Sequence, residues 1–266
     1  MKELLWSHIL SVRERSPLVH NITNYVVMNN TANALLAVGA SPIMAHAAAE
    51  IKQMVTICHS LVVNIGTLDE YWVRSMLTAA EQANELRKPW VLDPVGAGAT
   101  AYRNEVLEQL IVLRPTVIRG NASEIMALAK HNRSQTKGVD STAESQQAID
   151  AAQFLQQQSG AVVCISGETD IVIGDQQQLR LSNGDVMMTK VTGLGCSASA
   201  VIGAFVAAVD DPVEAVTAAM ALFGVAGELA AAQASGPGSL QVALLDKLYN
   251  ITQTEFEEHL EITKAA

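Results

Sequence analysis

Val191-Thr192-Gly193-Leu194-Gly195-Cys196-Ser197-Ala198-Ser199-Ala200 is the stretch on which the reading of the fold turns. Two glycines flank one residue, a run of small residues follows, and an apolar segment continues over 201–209. The pattern predicts a tight turn that delivers the chain into a helix. The first N–H groups of such a helix lack partners within it and carry roughly half a positive charge. The turn is therefore a site for an anion, most often phosphate, with Cys196 facing it. An ordinary glycine turn before a core helix has the same sequence, so the remainder of the chain decides.

Around this turn, short apolar runs alternate with helix-like segments. Helices are predicted over 2–15 (with Leu4, Leu5, His8, Ile9 and Val12 on the buried face), 26–38, 50–59, 70–87, 104–113 and 142–158. Short strands are predicted over 18–23, 41–45, 61–65, 90–95, 116–119 and 161–165. Asn121-Ala122-Ser123-Glu124 resembles a capping box opening a further helix, and 131–141 reads as a polar loop. Between Thr169 and Lys190 the pattern changes to three short pieces, Ile171-Val172-Ile173, Leu179-Arg180-Leu181 and Val186-Met187-Met188. Asn183-Gly184 between the last two is a hairpin signal, so all three are expected as antiparallel edge strands. Helices over 212–234 and 240–249, separated by Gly236-Pro237-Gly238, complete the chain.

Strand–helix alternation with near-continuous apolar strands predicts an α/β fold of three layers. It has a mostly parallel central sheet, helices on both faces and small antiparallel edge strands. One domain spanning 1–266 is expected. Ligands of such sheets bind beyond the carboxyl ends of the strands. Polar residues gather there: Asn24, Asn64-Ile65-Gly66-Thr67, Asp93, Arg119, Ser166 and Gly193.

Composition excludes several classes. Aromatic residues are only 4%, too few for nucleic-acid stacking platforms, and the net charge of −10 disfavours polyanionic partners. Cys58, Cys164 and Cys196 are scattered and odd in number, which argues against a disulfide framework or zinc site. The N-terminus lacks a signal-peptide pattern and no uninterrupted apolar run reaches the ~18 residues of a membrane span. A cytoplasmic enzyme is expected.

Arg119 ends an apolar strand, where a guanidinium can clamp a phosphate with two parallel hydrogen bonds; the competing reading is a surface salt bridge. Asp93 and Glu124 are carboxylates at element ends. Near phosphates they suit Mg²⁺, which takes only one or two protein oxygens, although Glu124 also fits a helix cap. Ser166 could donate to a phosphate oxygen or simply occupy a turn. Gly96-Ala97-Gly98-Ala99-Thr100-Ala101 matches a dinucleotide pattern but is a poor one, because Asp93-Pro94 intervenes and 102–104 does not look like helix packing. His20, His46 and His59 show no ligand spacing and read as structural.

With these residues placed, the chain resembles the hydroxyethylthiazole kinases, the thiazole-salvage kinases of thiamine biosynthesis. The resemblance rests on Pro17-Leu18-Val19-His20-Asn21-Ile22-Thr23-Asn24, Gly39-Ala40-Ser41-Pro42-Ile43-Met44-Ala45, Asn64-Ile65-Gly66-Thr67-Leu68, Leu92-Asp93-Pro94-Val95-Gly96-Ala97-Gly98-Ala99, Ile118-Arg119-Gly120-Asn121-Ala122-Ser123-Glu124-Ile125 and the turn from Gly193 to Cys196. It implies a ribokinase-like fold and ATP-dependent phosphorylation of the hydroxyl of 4-methyl-5-(2-hydroxyethyl)thiazole. It also implies that Met44 and Gly193 contact the thiazole alcohol with Asn24 and Gly66 nearby, that Arg119 and Ser166 bind ATP, and that Asp93 and Glu124 serve Mg²⁺. Cys196 stands where related kinases carry an aspartate base, and the family is typically a homotrimer. Two positions depart from the expected pattern: Leu194 between the glycines, and Ser166 where threonine is also familiar.

Other functions make different demands. A kinase of another small alcohol such as a hydroxymethylpyrimidine would favour an aspartate at position 196. A cysteine-nucleophile transferase would need a histidine base beside Cys196. A non-catalytic binder would have no use for Asp93, Arg119 and Glu124 together.

Overall fold

The computed structural model describes residues 1–132 and 143–264. The chain runs α1 (Lys2–Arg15), β1 (Leu18–Ile22), α2 (Met28–Ala37), β2 (Ser41–Ile43), α3 (Ile51–Ile57), β3 (Ser60–Asn64), α4 (Glu70–Glu85), β4 (Trp90–Asp93), α5 (Ala101–Val112), β5 (Val117–Asn121), α6 (Ala122–Asn132) and α7 (Ala143–Ser159). It continues through β6 (Val162–Ser166), β7 (Asp170–Ile173), β8 (Gln178–Leu181), a 3-10 helix (Val186–Lys190), α8 (Leu194–Val206), α9 (Pro212–Gln233), α10 (Pro237–Asn250), α11 (Gln253–His259) and β9 (Ile262–Lys264).

The strands form one sheet in the order β2-β1-β3-β4-β5-β6-β7-β8-β9. It is parallel from β2 to β6 and antiparallel from β6 to β9. The strands are apolar at successive positions because both faces are covered. Val62, Val91, Val117 and Cys164 join one core with α1, α8, α9 and α10. Their sequence neighbours Val63, Leu92, Ile118 and Val163 join a second core with α4, α5 and α7. The expected three-layer arrangement is present.

Small residues let α8 lie close to the sheet. A Cβ on Gly203 would stand 2.5 Å from Val62 Cγ2 and 3.0 Å from Val19 Cγ1, and Ser60 Oγ donates to Gly203 O at 2.6 Å. The N-terminus of α8 is thereby aimed over the carboxyl ends of β1, β3 and β4. β1 and β3 are also where the strand order changes direction, the place at which open α/β sheets bind ligands. α9 is long and apolar enough to cross a membrane by length and composition, yet 83% of its apolar window is buried; it packs against α1, α8 and α10.

Several expectations are corrected. Val186-Met187-Met188 is not a strand but part of the 3-10 helix, capped by Asp185 Oδ1 accepting from Met187 N. Asn183-Gly184 is not a hairpin turn. Asn183 is buried, its Nδ2 donates to Glu228 Oε2 and His259 O, and its Oδ1 accepts from Glu261 N. The third antiparallel strand is instead β9, paired with β8 through Leu181 and Ile262. α5 opens at Ala101 rather than at 104 because Thr100 caps it by accepting from Arg103 N. α10 begins at Pro237, with Gly236 as its N-cap, so the glycine–proline break is the helix start. Leu4 is exposed, and Trp6 takes its place on the buried face of α1. Of the loop expected at 131–141, positions 131 and 132 belong to α6 and the rest lies outside the described residues.

Candidate active site

Strand periodicity decides which strand-end residues meet. Successive side chains alternate faces, so Asn64 and Asp93, two positions after Val62 and Val91, face α8. The two are register partners at the ends of β3 and β4. Both are 1% exposed, and Asn64 Nδ2 donates to Asp93 Oδ2 at 2.6 Å. Asn64 Oδ1 accepts from Gly66 N at 2.9 Å and from Asn24 Nδ2 at 2.8 Å. Asn24 Nδ2 also donates to Cys196 Sγ at 3.5 Å. One hydrogen-bonded line therefore joins the loop after β1, the ends of β3 and β4, and the first turn of α8.

Three glycines make room for this constellation. A Cβ on Gly66 would stand 2.5 Å from Asn24 Nδ2, one on Gly193 would stand 2.3 Å from Val27 Cγ1, and one on Gly195 would stand 2.7 Å from Arg119 Nη1. Gly193 is the α8 N-cap at φ 79°, a left-handed conformation suited to glycine.

Arg119 lies within β5, not at its end, and β5 continues to Asn121. Its Nε is buried without a hydrogen-bond partner, and no ion pair holds Arg119 among the described residues. The salt-bridge reading falls away. Arg119, Ser166 and Gly195 line a cavity of about 760 Å³ together with Asp170, Met220 and Phe223. Ser166 Oγ donates weakly to Gly120 O at 3.4 Å.

Burial dominates the electrostatics. Asp93 is pushed up to about 6 by desolvation, which outweighs the attraction of Arg119. The buried Ser199 hydroxyl lies within reach of the Asp93 carboxyl and, like Asn64, favours its charged form. Cys196 is pushed up to about 11, first by burial and then by Asp93, against the help of Asn64 and Asn24. The thiol is therefore neutral at neutral pH. Asp170 also rises to about 6 through burial, although its Oδ1 accepts from Gly167 N at 3.1 Å.

Glu124 forms the expected capping box: Asn121 Oδ1 accepts from Glu124 N, and Glu124 Oε2 accepts from Asn121 N, both at 2.9 Å. Its Oε1 accepts from Gly96 N at 2.9 Å. That contact occupies an N–H which a dinucleotide pyrophosphate would need, so the glycine pattern at 96–101 is not a cofactor loop. Arg103, on the first turn of α5, donates instead to Val95 O and Gly66 O, tying the β3 and β4 loops together. Met44 sits half-buried on the loop after β2, which His20 Nε2 anchors at Ala45 O. Tyr25 and His46 pack against Trp72 beside that loop. His59 Nδ1 accepts from Leu18 N, a structural role. Asn64 was visible in the sequence only as a strand-end polar residue, and Asp170 and Ser199 gave no signal of their own.

A model of the hydroxyethylthiazole kinase family matches residues 9–254. The chain belongs to the hydroxyethylthiazole kinase family. It is 54% identical to a hydroxyethylthiazole kinase of Syntrophus aciditrophicus, covering 98% of this chain and 97% of that one. It is 48% identical to a hydroxyethylthiazole kinase of Arabidopsis thaliana, covering 98% and 95%. A solved hydroxyethylthiazole kinase from Pyrococcus horikoshii OT3 matches over 100% of both chains with a TM-score of 0.92 and 41% identity. A ribokinase-like protein from Enterococcus faecalis V583, 13% identical with a TM-score of 0.68 over 95% of both chains, shares the fold. The chain is therefore a kinase of ribokinase-like fold.

Proposed function

We propose that this kinase transfers the γ-phosphoryl group of ATP to the hydroxyl of 4-methyl-5-(2-hydroxyethyl)thiazole at the carboxyl ends of β1, β3, β4 and β5. The observation that carries this reading is the unbroken line of hydrogen bonds from Cys196 through Asn24 and Asn64 to Asp93. It sets a sulfur and a buried carboxyl beside the unpaired N–H groups that open α8. Phosphoryl transfer has a loose transition state, so positioning and charge stabilisation outweigh proton abstraction.

In this reading the thiazole alcohol lies against Met44, Gly193, Asn24 and Gly66, and the phosphates enter the cavity lined by Arg119 and Ser166. Arg119, in no ion pair among the described residues, supplies positive charge, as do the α8 N–H groups. Cys196, neutral with its thiol pushed up to about 11, orients the alcohol oxygen and forms no phosphocysteine. Asp93 and Glu124 fit a Mg²⁺ site: the buried Asp93 carboxyl meets the neutral Asn64 and Ser199 side chains, and Mg²⁺ held mainly by phosphates and water needs few protein oxygens. Glu124 already accepts two backbone N–H bonds, so it contributes chiefly charge. A bound Mg²⁺ would neutralise the transferring phosphates.

We further propose a homotrimer, since Tyr25, Val26 and Tyr71 near the Met44 loop are exposed at 59%, 61% and 73%, and a cytoplasmic setting in keeping with three free cysteines. ADP release measured with ATP and the thiazole alcohol, with Mg²⁺ or with EDTA, tests the reaction. ADP that appears only with both alcohol and divalent cation supports it. ADP formed equally without the alcohol overturns it. Light scattering at trimer mass, against a fully active monomer, tests the assembly.

A further inference from the structure

Asn64 is fully enclosed and its amide can stand only one way round. The Gly66 N–H can only donate, so it fixes Oδ1 as the atom it meets and turns Nδ2 toward Asp93 Oδ2. Asn24 is locked in the same manner. Its Oδ1 accepts from Val26 N at 3.1 Å, which leaves Nδ2 to donate to Asn64 Oδ1 and Cys196 Sγ. Two backbone N–H groups on separate loops thus fix the direction of every hydrogen bond from Asp93 to Cys196. Reversing either amide would set donor against donor.

We propose that Asn64 is a positioning residue for phosphoryl transfer, fixing the Asp93 carboxyl and holding the Asn24 amide on the Cys196 sulfur. With Oδ2 held by Asn64 and the Ser199 hydroxyl also within reach of the carboxyl, the Asp93 head group is fixed in one orientation. With Sγ accepting from Asn24, the thiol hydrogen turns away from Asn24. Arg119 and Ser166 lie outside this line, so the direct phosphate contacts proposed for them remain when it is broken. The role rests on the kinase reading above.

The test is steady-state kinetics and thermal melting of wild type, Asn64→Asp, Asn64→Ala and Ser75→Ala, a buried hydroxyl of α4 that takes part in none of the contacts described above. Asn64→Asp keeps the volume and the acceptor but sets a second carboxyl against Asp93; Asn64→Ala removes the amide. Both Asn64 variants are expected to lose about tenfold or more in kcat with KM for ATP within about threefold of wild type, because misplacement acts on the transition state. Ser75→Ala should change neither. Folded Asn64 variants with kcat within about twofold of wild type would overturn the role. So would a parallel loss of kcat and ATP affinity that follows the loss of folded protein. If Asn64→Ala does not fold, Asn64→Asp decides by the same criteria. A wild type inactive on the thiazole alcohol overturns the kinase reading itself, a separate outcome.

Discussion

The side-chain amide of Asn24 donates to Cys196 Sγ across 3.5 Å, joining the loop after β1 to the first turn of α8. The sulfur that faces the acceptor alcohol in our reading is thus an oriented group. It is also an uncharged one, because burial and Asp93 hold its thiol far above the usual ~8.5.

This sets an expectation for Cys196. A thiol at about 11 stays protonated from pH 6 to 9, so its ionisation cannot shape turnover in that range. Cys196→Ala should lower kcat by about 10²-fold or less, at or below the usual scale for a general base, and the ratio of wild-type to variant kcat should stay flat with pH. A wild-type rise between pH 7.5 and 9 that Cys196→Ala abolishes would contradict the neutral thiol.

Gly195 offers a test that separates stability from binding. A Cβ there would meet Arg119 Nη1 at 2.7 Å, and the guanidinium, at the end of a flexible side chain, can move aside. Gly195→Ala should preserve or slightly raise stability, since alanine favours a helix by up to about 1 kcal/mol. KM for ATP should rise roughly tenfold, the scale of one charge-assisted hydrogen bond. Equal stability with an unchanged KM would remove Arg119 from the phosphate site.

Asp93 should show the opposed demands of folding and activity. Its folded pKa of about 6 lies above the ordinary ~3.9. Its contribution to stability is therefore fully present below pH ~4 and lost as pH rises through 6. Asp93→Asn keeps an acceptor for Asn64 and removes the buried charge. At pH 8 it should melt a few degrees higher than wild type, on a scale of roughly 1–3 kcal/mol, with the gap shrinking toward pH 5, while turnover falls by about 10²-fold or more. A lower melting temperature at pH 8 would contradict the assignment of burial as the dominant effect.

Gly66→Ala should act through Asn24. The added Cβ would stand within 2.9 Å of three Asn24 side-chain atoms, and Asn24 is buried, so the amide must leave Cys196. Turnover is expected to fall by about tenfold or more, with KM for ATP unchanged. A variant with wild-type kcat would show that the Asn24–Cys196 contact is dispensable.

The strand–helix alternation was legible because the strands are short, apolar and bounded by turns. The candidate site was legible in part, since Asn24, Asp93, Arg119 and Ser166 are polar residues at or just beyond the ends of apolar runs. The link through Asn64 was not, because doubly covered strands hide the two-residue periodicity that puts Asn64 and Asp93 on one face. Asn183-Gly184 misled for a different reason: the Asn183 amide serves Glu228, His259 and Glu261, far away in sequence. β9 escaped notice likewise, as three residues gain strand form only by pairing with β8.

Substrate choice tests the central claim. We would measure kcat/KM of the wild-type enzyme with ATP and Mg²⁺ on 4-methyl-5-(2-hydroxyethyl)thiazole, a hydroxymethylpyrimidine and pyridoxal. The account predicts that the thiazole alcohol is preferred by about tenfold or more, the discrimination available from a few pocket contacts. Preference for the pyrimidine alcohol or pyridoxal by the same margin would contradict it.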